Sequence, residues 1–141
     1  MPVQSLFGTT IQLLGKTLDL RTKRHELIAS NLANVETPNY TPTDLSFDKE
    51  LQDALNQKRI VNAEPNPQHI PLKGQSGYQG LQRVTGDVIE VPSSNLGPDG
   101  NGVEMETEMQ RLAQNQIMYN TSVQLLNKKF EMLAQAIKGT L

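Results

Sequence analysis

The sequence predicts a mainly α protein, with two long terminal helices forming a coiled-coil-like pair around a β- and turn-rich, irregular middle insertion. Three observations predict it. Seven of the eight prolines and seven of the ten glycines fall between residues 37 and 102, a density that breaks helices. Both ends carry apolar residues that step alternately by three and four, the spacing of a helical seam. Aromatic residues are only 4% with no Trp, and mean hydropathy is −0.47, so large side chains for a self-contained core are scarce. The expected divisions are a helix in 1–36, the insertion in 37–102 and a helix in 103–141.

The first helix is expected over about residues 5–35. Leu6, Leu13, Leu20 and Leu27 recur every seven residues. Beside them Ile11, Leu14, Leu18, Arg21, His25, Ile28, Leu32 and Val35 take the three-four step, with Arg21 and His25 as polar interruptions. Gly8, Gly15 and several threonines lower the intrinsic propensity, which implies a helix that needs a partner. Pro38 pushes the residue before it out of the α region, so the helix should end by Val35 or Glu36. Asn34, tolerant of left-handed backbone, is expected to help close it. Two adjacent apolar stripes are more than one intramolecular helix can cover, and uncovered stripes mark an interaction surface.

In the insertion, Phe47, Leu51, Ala54 and Leu55 fit a brief helix. Ile70 and Leu72, and then residues 81–91 with Val84, Val88, Ile89 and Val91 split by Gly86, are β-compatible. Residues 93–102 read as a loop, with Asp-Gly and Asn-Gly marking turns.

The last segment carries the clearest periodicity. Met105, Met109, Leu112, Gln116, Tyr119, Val123, Leu126, Phe130, Leu133 and Ile137 keep the four-three step throughout, and nine of these ten are apolar against 36% for the chain. That seam exceeds four heptads, enough to predict a coiled-coil-like helix from about 103 to 138. Asn101 and Glu104 have the side chains and spacing of a capping box. Glutamates 104, 106 and 108 near the start and lysines 128, 129 and 138 near the end suit the helix dipole.

Several function classes are excluded or disfavoured. A net charge of −2 argues against binding driven by bulk positive charge to nucleic acid or anionic lipid. The densest basic run, from Arg21 to His25, reads as a solvated helix face. No Cys means no disulfide and no thiolate metal site. No long apolar run suggests a membrane span or a cleaved secretory signal. His25 and His69 lie far apart with no carboxylate spacing to complete a metal shell. A calcium loop starting at Asp99 would need Gly at position 104 and Glu at 110, where the chain has Glu and Gln. Gly74, Gly77 and Gly80 lack the residues of a phosphate-cradling loop and read as turns. Met105, Met109, Met118 and Met132 read as core or interface filler. No nucleophile-base pattern is present, so no catalytic role and no cofactor are expected.

Residues 30–40 contain Asn31, Leu32, Ala33 and Asn34, then Thr37, Pro38, Asn39 and Tyr40. This stretch resembles the signature of the flagellar rod, hook and axial protein family, and within it the proximal-rod branch. The stretch from Asp99 to Met109, then Asn115 and Tyr119, then Lys129, Phe130 and Leu133, is similar to the C-terminal pattern of that branch. The family usually has Gly where this chain has Asn39. Gly there implies a positive φ, which Asn tolerates best among the substitutes.

The resemblance implies a structural subunit of the bacterial flagellar basal-body rod in the periplasm, exported by the flagellar type III apparatus without a cleaved signal. It implies partners among the rod proteins FlgC, FlgF and FlgG, the adaptor FliE and copies of the chain itself. It also gives residues 31–34 and 37–40 the role of an assembly motif. The amides of Asn31 and Asn34, on one helix face, have two readings: bonds to neighbouring backbone in the assembly, or a simple helix terminus. The helix-packing seam would comprise Ile11, Leu14, Leu18, Leu20, Leu27 and Ile28, and the apolar positions of the C-terminal series. Weakly helical segments with uncovered apolar surface would stay loosely folded during export and order on assembly. The alternative from another class is a soluble helical adaptor or export chaperone of the same secretion system. The proline- and glycine-rich middle argues against it.

Overall fold

The proline-free stretch after residue 98 and the stretch before Pro38 are where long helices form. The structure, a computed structural model, describes residues 8–56, 78–92 and 96–139. Its elements are α1 (Thr9–Ala33), β1 (Thr43–Ser46), α2 (Asp48–Asn56), α3 (Tyr78–Arg83), β2 (Asp87–Glu90) and α4 (Met105–Lys138). The protein is mainly helical, with a long helix at each end and a two-stranded sheet in the middle. Leu6, the Ile70–Leu72 alternation, His69, Gly74 and Gly77, and residues 93–95 of the expected loop lie outside the described residues.

α4 runs 34 residues, about 51 Å at a rise of ~1.5 Å per residue. It closes on Gly139 at φ 66°, the left-handed cap that Gly adopts without strain. Its start corrects the sequence reading. Glu104 is the N-cap and makes no side-chain cap bond, so the capping box does not form. Asn101 turns its side chain elsewhere. α1 ends at Ala33, and its cap, Asn34, has φ −105° rather than a left-handed value. Backbone N–H of Asn34 bonds back to Ser30 and Asn31, and Val35 to Leu32, which winds the terminus down in short turns.

β1 and β2 pair antiparallel, with Leu45 opposite Val88 and Thr43 opposite Glu90. Residues 81–83, read as β-compatible, are instead helical. The reason is packing. Leu81 and Val84 are spaced for one face of a turn of helix, and both are buried against Leu20, Leu45, Phe47 and Ala54. Leu13, Leu27 and Leu51 border the same cluster. Between it and the strand lies Gly86 at φ 69°, and a Cβ there would meet Leu45 at 3.0 Å. Glu50 receives the Thr85 and Gly86 amides, at 3.3 and 2.9 Å, so the acid of α2 holds this turn.

The core location revises the expectation about α1. Its every-seventh leucine column is not left for another molecule: Leu13, Leu20 and Leu27 pack on the middle segment. The basic run is a solvated face only in part: Lys23 and His25 are exposed, while Arg21 and Arg24 are half-buried. Arg24 makes a two-pronged pair with Asp44 at 2.7 and 2.5 Å, Lys23 donates to the Thr85 carbonyl at 3.1 Å, and Arg21 lies 5.7 Å over the Phe47 ring. These side chains fasten α1 to the insertion.

Candidate assembly site

Asn31 stands in the last turn of α1, where the helix meets both β1 and α4. It is fully buried. Its amide matches a backbone peptide in having a donor and an acceptor side by side, and it pairs with Thr43 as a neighbouring strand would. Nδ2 donates to the Thr43 carbonyl at 2.8 Å, and Oδ1 accepts the Thr43 N–H at 3.0 Å. The second Nδ2 hydrogen goes to Glu108 Oε2 at 2.9 Å, and the Tyr40 hydroxyl reaches Oδ1 at 3.4 Å. Glu108, itself only 2% exposed, accepts from Arg111 at 2.6 Å on its other oxygen. One amide thus joins three elements, and no aspartate or leucine could supply the same set.

Asn101 makes a second junction. Its Nδ2 donates to the carbonyls of Asn34, Val35 and Thr37 at 2.9, 2.8 and 2.7 Å. Those carbonyls belong to the C-cap of α1 and the turns that follow it. Its Oδ1 accepts the Val103 N–H at 2.7 Å. The loop is held from the backbone as well: Asn39 N–H bonds the Asp99 carbonyl, and Gly102 N–H bonds the Tyr40 carbonyl. Asn39 adopts φ 57°, a left-handed residue that is not glycine. Gly100, at φ 76°, lies so close that a Cβ would collide with the Asn39 side chain. Asn34 works locally, donating to Ser30 and accepting from Thr37. Among the other motif residues Leu32 and Tyr40 are half-buried, while Ala33, Thr37, Pro38 and Asn39 are exposed.

The face between α1 and α4 is more polar than the apolar seam suggests. Asn31 bonds Glu108, and Asn115 bonds both the carbonyl and the guanidinium of Arg21. Positions fall along one helix as they rise along the other, so the pair is antiparallel. The residues of α4 buried here are Glu108, Asn115 and Ser122, seven apart. Leu112, Tyr119, Val123, Leu126 and Leu133 are half-buried. On α1, Ile28 is wholly buried, Leu20 nearly so, and Ile11, Leu14, Leu18 and Leu27 are half-buried.

The rest of the expected seam is exposed: Met105, Met109, Phe130 and Ile137. α4 is turned one heptad column, roughly 50°, from its most apolar face. Arg21 and Asn31 on α1 require polar partners, and the column that carries Glu108 and Asn115 supplies them. Burial draws the Arg21 guanidinium below its ordinary range; Asp48 opposes that shift and Arg24 adds to it. Arg21 Nε is buried without a hydrogen-bond partner.

The turned helix leaves two apolar columns outward. Met109, Phe130 and Ile137 lie on one flank of the α1 contact, and Met118, Leu125 and Met132 on the other. Ile137 is 83% exposed. Between Arg111 and Lys128 the helix has no charged residue in sixteen positions. Among the described residues no group of three or more His, Asp or Glu is placed to hold a metal ion, and no helix is long and apolar enough to cross a membrane.

Curated relatives match this chain over nearly its whole length. A flagellar basal body rod protein FlgB of Aeromonas hydrophila is 32% identical over 86% of this chain and 87% of its own. The chain belongs to the FlgB family of flagellar basal body rod proteins. The FlgB of Bacillus subtilis is 31% identical over 96% of this chain and 98% of its own, and that of Cereibacter sphaeroides 33% over 94% and 97%. No protein-family profile matches. FlgB-family membership makes this a structural flagellar protein of the basal body, and nothing favours the adaptor reading.

Proposed function

We propose that the chain is a building block of the proximal rod in the periplasm, and that the two outward columns of α4 are its contacts with neighbouring subunits. One observation carries this reading. A helix about 51 Å long faces its own partner with Glu108, Asn115 and Ser122, and faces away with Met109, Phe130, Ile137, Met118, Leu125 and Met132. A self-contained protein has the opposite pattern. The charge-free run from Leu112 to Asn127 supports it too, because charge is depleted at the centre of protein interfaces.

The neighbours on this reading are copies of the chain, the rod proteins FlgC, FlgF and FlgG, and the adaptor FliE. The chain reaches them through the flagellar type III apparatus without a cleaved signal. The junction of residues 31–40 with the 97–104 loop fixes the angle at which α4 is presented, so the motif acts on assembly through α4. The proposal assigns no catalysis and no cofactor.

Leu125→Asp and Phe130→Asp test this directly. Both side chains are about half exposed, so each variant keeps the wild-type fold and urea midpoint, while a strain complemented with it does not swim. Normal swimming with both variants overturns the proposal.

A further inference from the structure

Asn101 is the only asparagine of the chain followed by glycine. That pair is intrinsically reactive: Gly has no Cβ to hinder its amide nitrogen from attacking the asparagine Cγ. The Gly102 N–Cγ bond forms, the Cγ–Nδ2 bond breaks and ammonia leaves. Water then opens the resulting cyclic imide to aspartate or isoaspartate. The sum is amide plus water to acid plus ammonia, with no oxidant or reductant.

Both reacting groups are held in this fold. The attacking nitrogen keeps its hydrogen on the Tyr40 carbonyl at 3.0 Å. The leaving nitrogen donates to three carbonyls between 2.7 and 2.9 Å, and Oδ1 accepts from Val103. Asn101 is 6% exposed, which limits access of base and water. The imide also requires the 101–102 backbone to rotate away from these partners.

We propose that Asn101-Gly102 is a spontaneous deamidation site, shut by folding and open in any chain that remains unfolded. Its product is incompatible with the closed junction. Where three carbonyl oxygens receive one amide nitrogen, aspartate puts a charged oxygen with no donor, and a buried charge set against three acceptors is strongly unfavourable. Isoaspartate adds a backbone methylene between residues anchored to Tyr40 and to α1. A chain left open too long therefore loses the latch between the end of α1 and the start of α4. The reaction is a chemical clock on the unfolded state, and it does not depend on which partners the folded protein has.

Mass spectrometry of tryptic peptides tests it, following amide-to-acid conversion of the wild-type chain in mildly alkaline buffer with and without urea. Conversion at Asn101 is expected at least about tenfold faster in urea, because opening of the junction limits the folded chain. Asn101→Gln, whose longer side chain cyclises poorly, should remove the signal from that peptide in urea. Equal rates in both conditions, or conversion elsewhere with none at Asn101, overturns the proposal. Asn101→Asp supplies the second arm. It should lower the urea midpoint or fail to fold, and a midpoint equal to wild type overturns the claim that the product opens the latch.

Discussion

Asn31 shows how much a single amide can hold. Replacing it by leucine keeps the branching at Cγ but leaves the Thr43 N–H and C=O and one oxygen of buried Glu108 without partners. Unsatisfied buried groups cost about 1–3 kcal/mol each, with partial relief from water, so Asn31→Leu should destabilise by about 2–4 kcal/mol in urea titration. Asn39→Gly makes the opposite case. At φ 57° glycine removes a left-handed strain but gains unfolded-state entropy, so stability should change by less than about 1 kcal/mol. The left-handed Asn39 was legible in the sequence, since the family resemblance implies glycine at that place and asparagine shares its backbone preference. The role of Asn101 was not. Its amide looked like a local cap, whereas its acceptors lie 64 to 67 residues away, and capping signatures read only neighbours in sequence.

Among elements, α4 was the most legible, because a four-three step without proline leaves few alternatives to a helix. Its rotation was hidden. Periodicity selects the most apolar face, but the face that meets α1 is chosen by what α1 offers, and Arg21 and Asn31 select Glu108 and Asn115. The seven-residue spacing of Glu108, Asn115 and Ser122 was the available signal. Leu20 and Leu125 separate the two kinds of leucine that this rotation creates. Leu20 is 3% exposed in the core and Leu125 is 51% exposed. Leu20→Ala should cost about 2–5 kcal/mol, whereas Leu125→Ala should alter monomer stability by no more than about 0.5 kcal/mol. Thermal or urea unfolding of the two variants measures both. In the insertion, α2 and β2 form where the sequence suggested a brief helix and a strand, whereas residues 81–83 became helical because Leu81 and Val84 had a cluster to join, and nothing local announces that.

For the whole molecule, the middle segment and the terminal helices divide the labour. α1 sets its leucine column on the insertion and its polar positions on α4, which leaves the apolar columns of α4 exposed. A low aromatic content then fits the proposed subunit, with a small core of its own and the rest of its apolar area offered to neighbours. The sequence announced uncovered apolar surface but placed it on α1, because the packing of Leu13, Leu20 and Leu27 against residues 45–84 depends on long-range folding. The most direct measurement is cysteine crosslinking in purified basal bodies from a chain that has no other cysteine. Leu125→Cys and Phe130→Cys should crosslink to adjoining subunits, while Ser122→Cys, facing α1, should not. Crosslinks at Ser122→Cys with none at the other two positions would contradict the account.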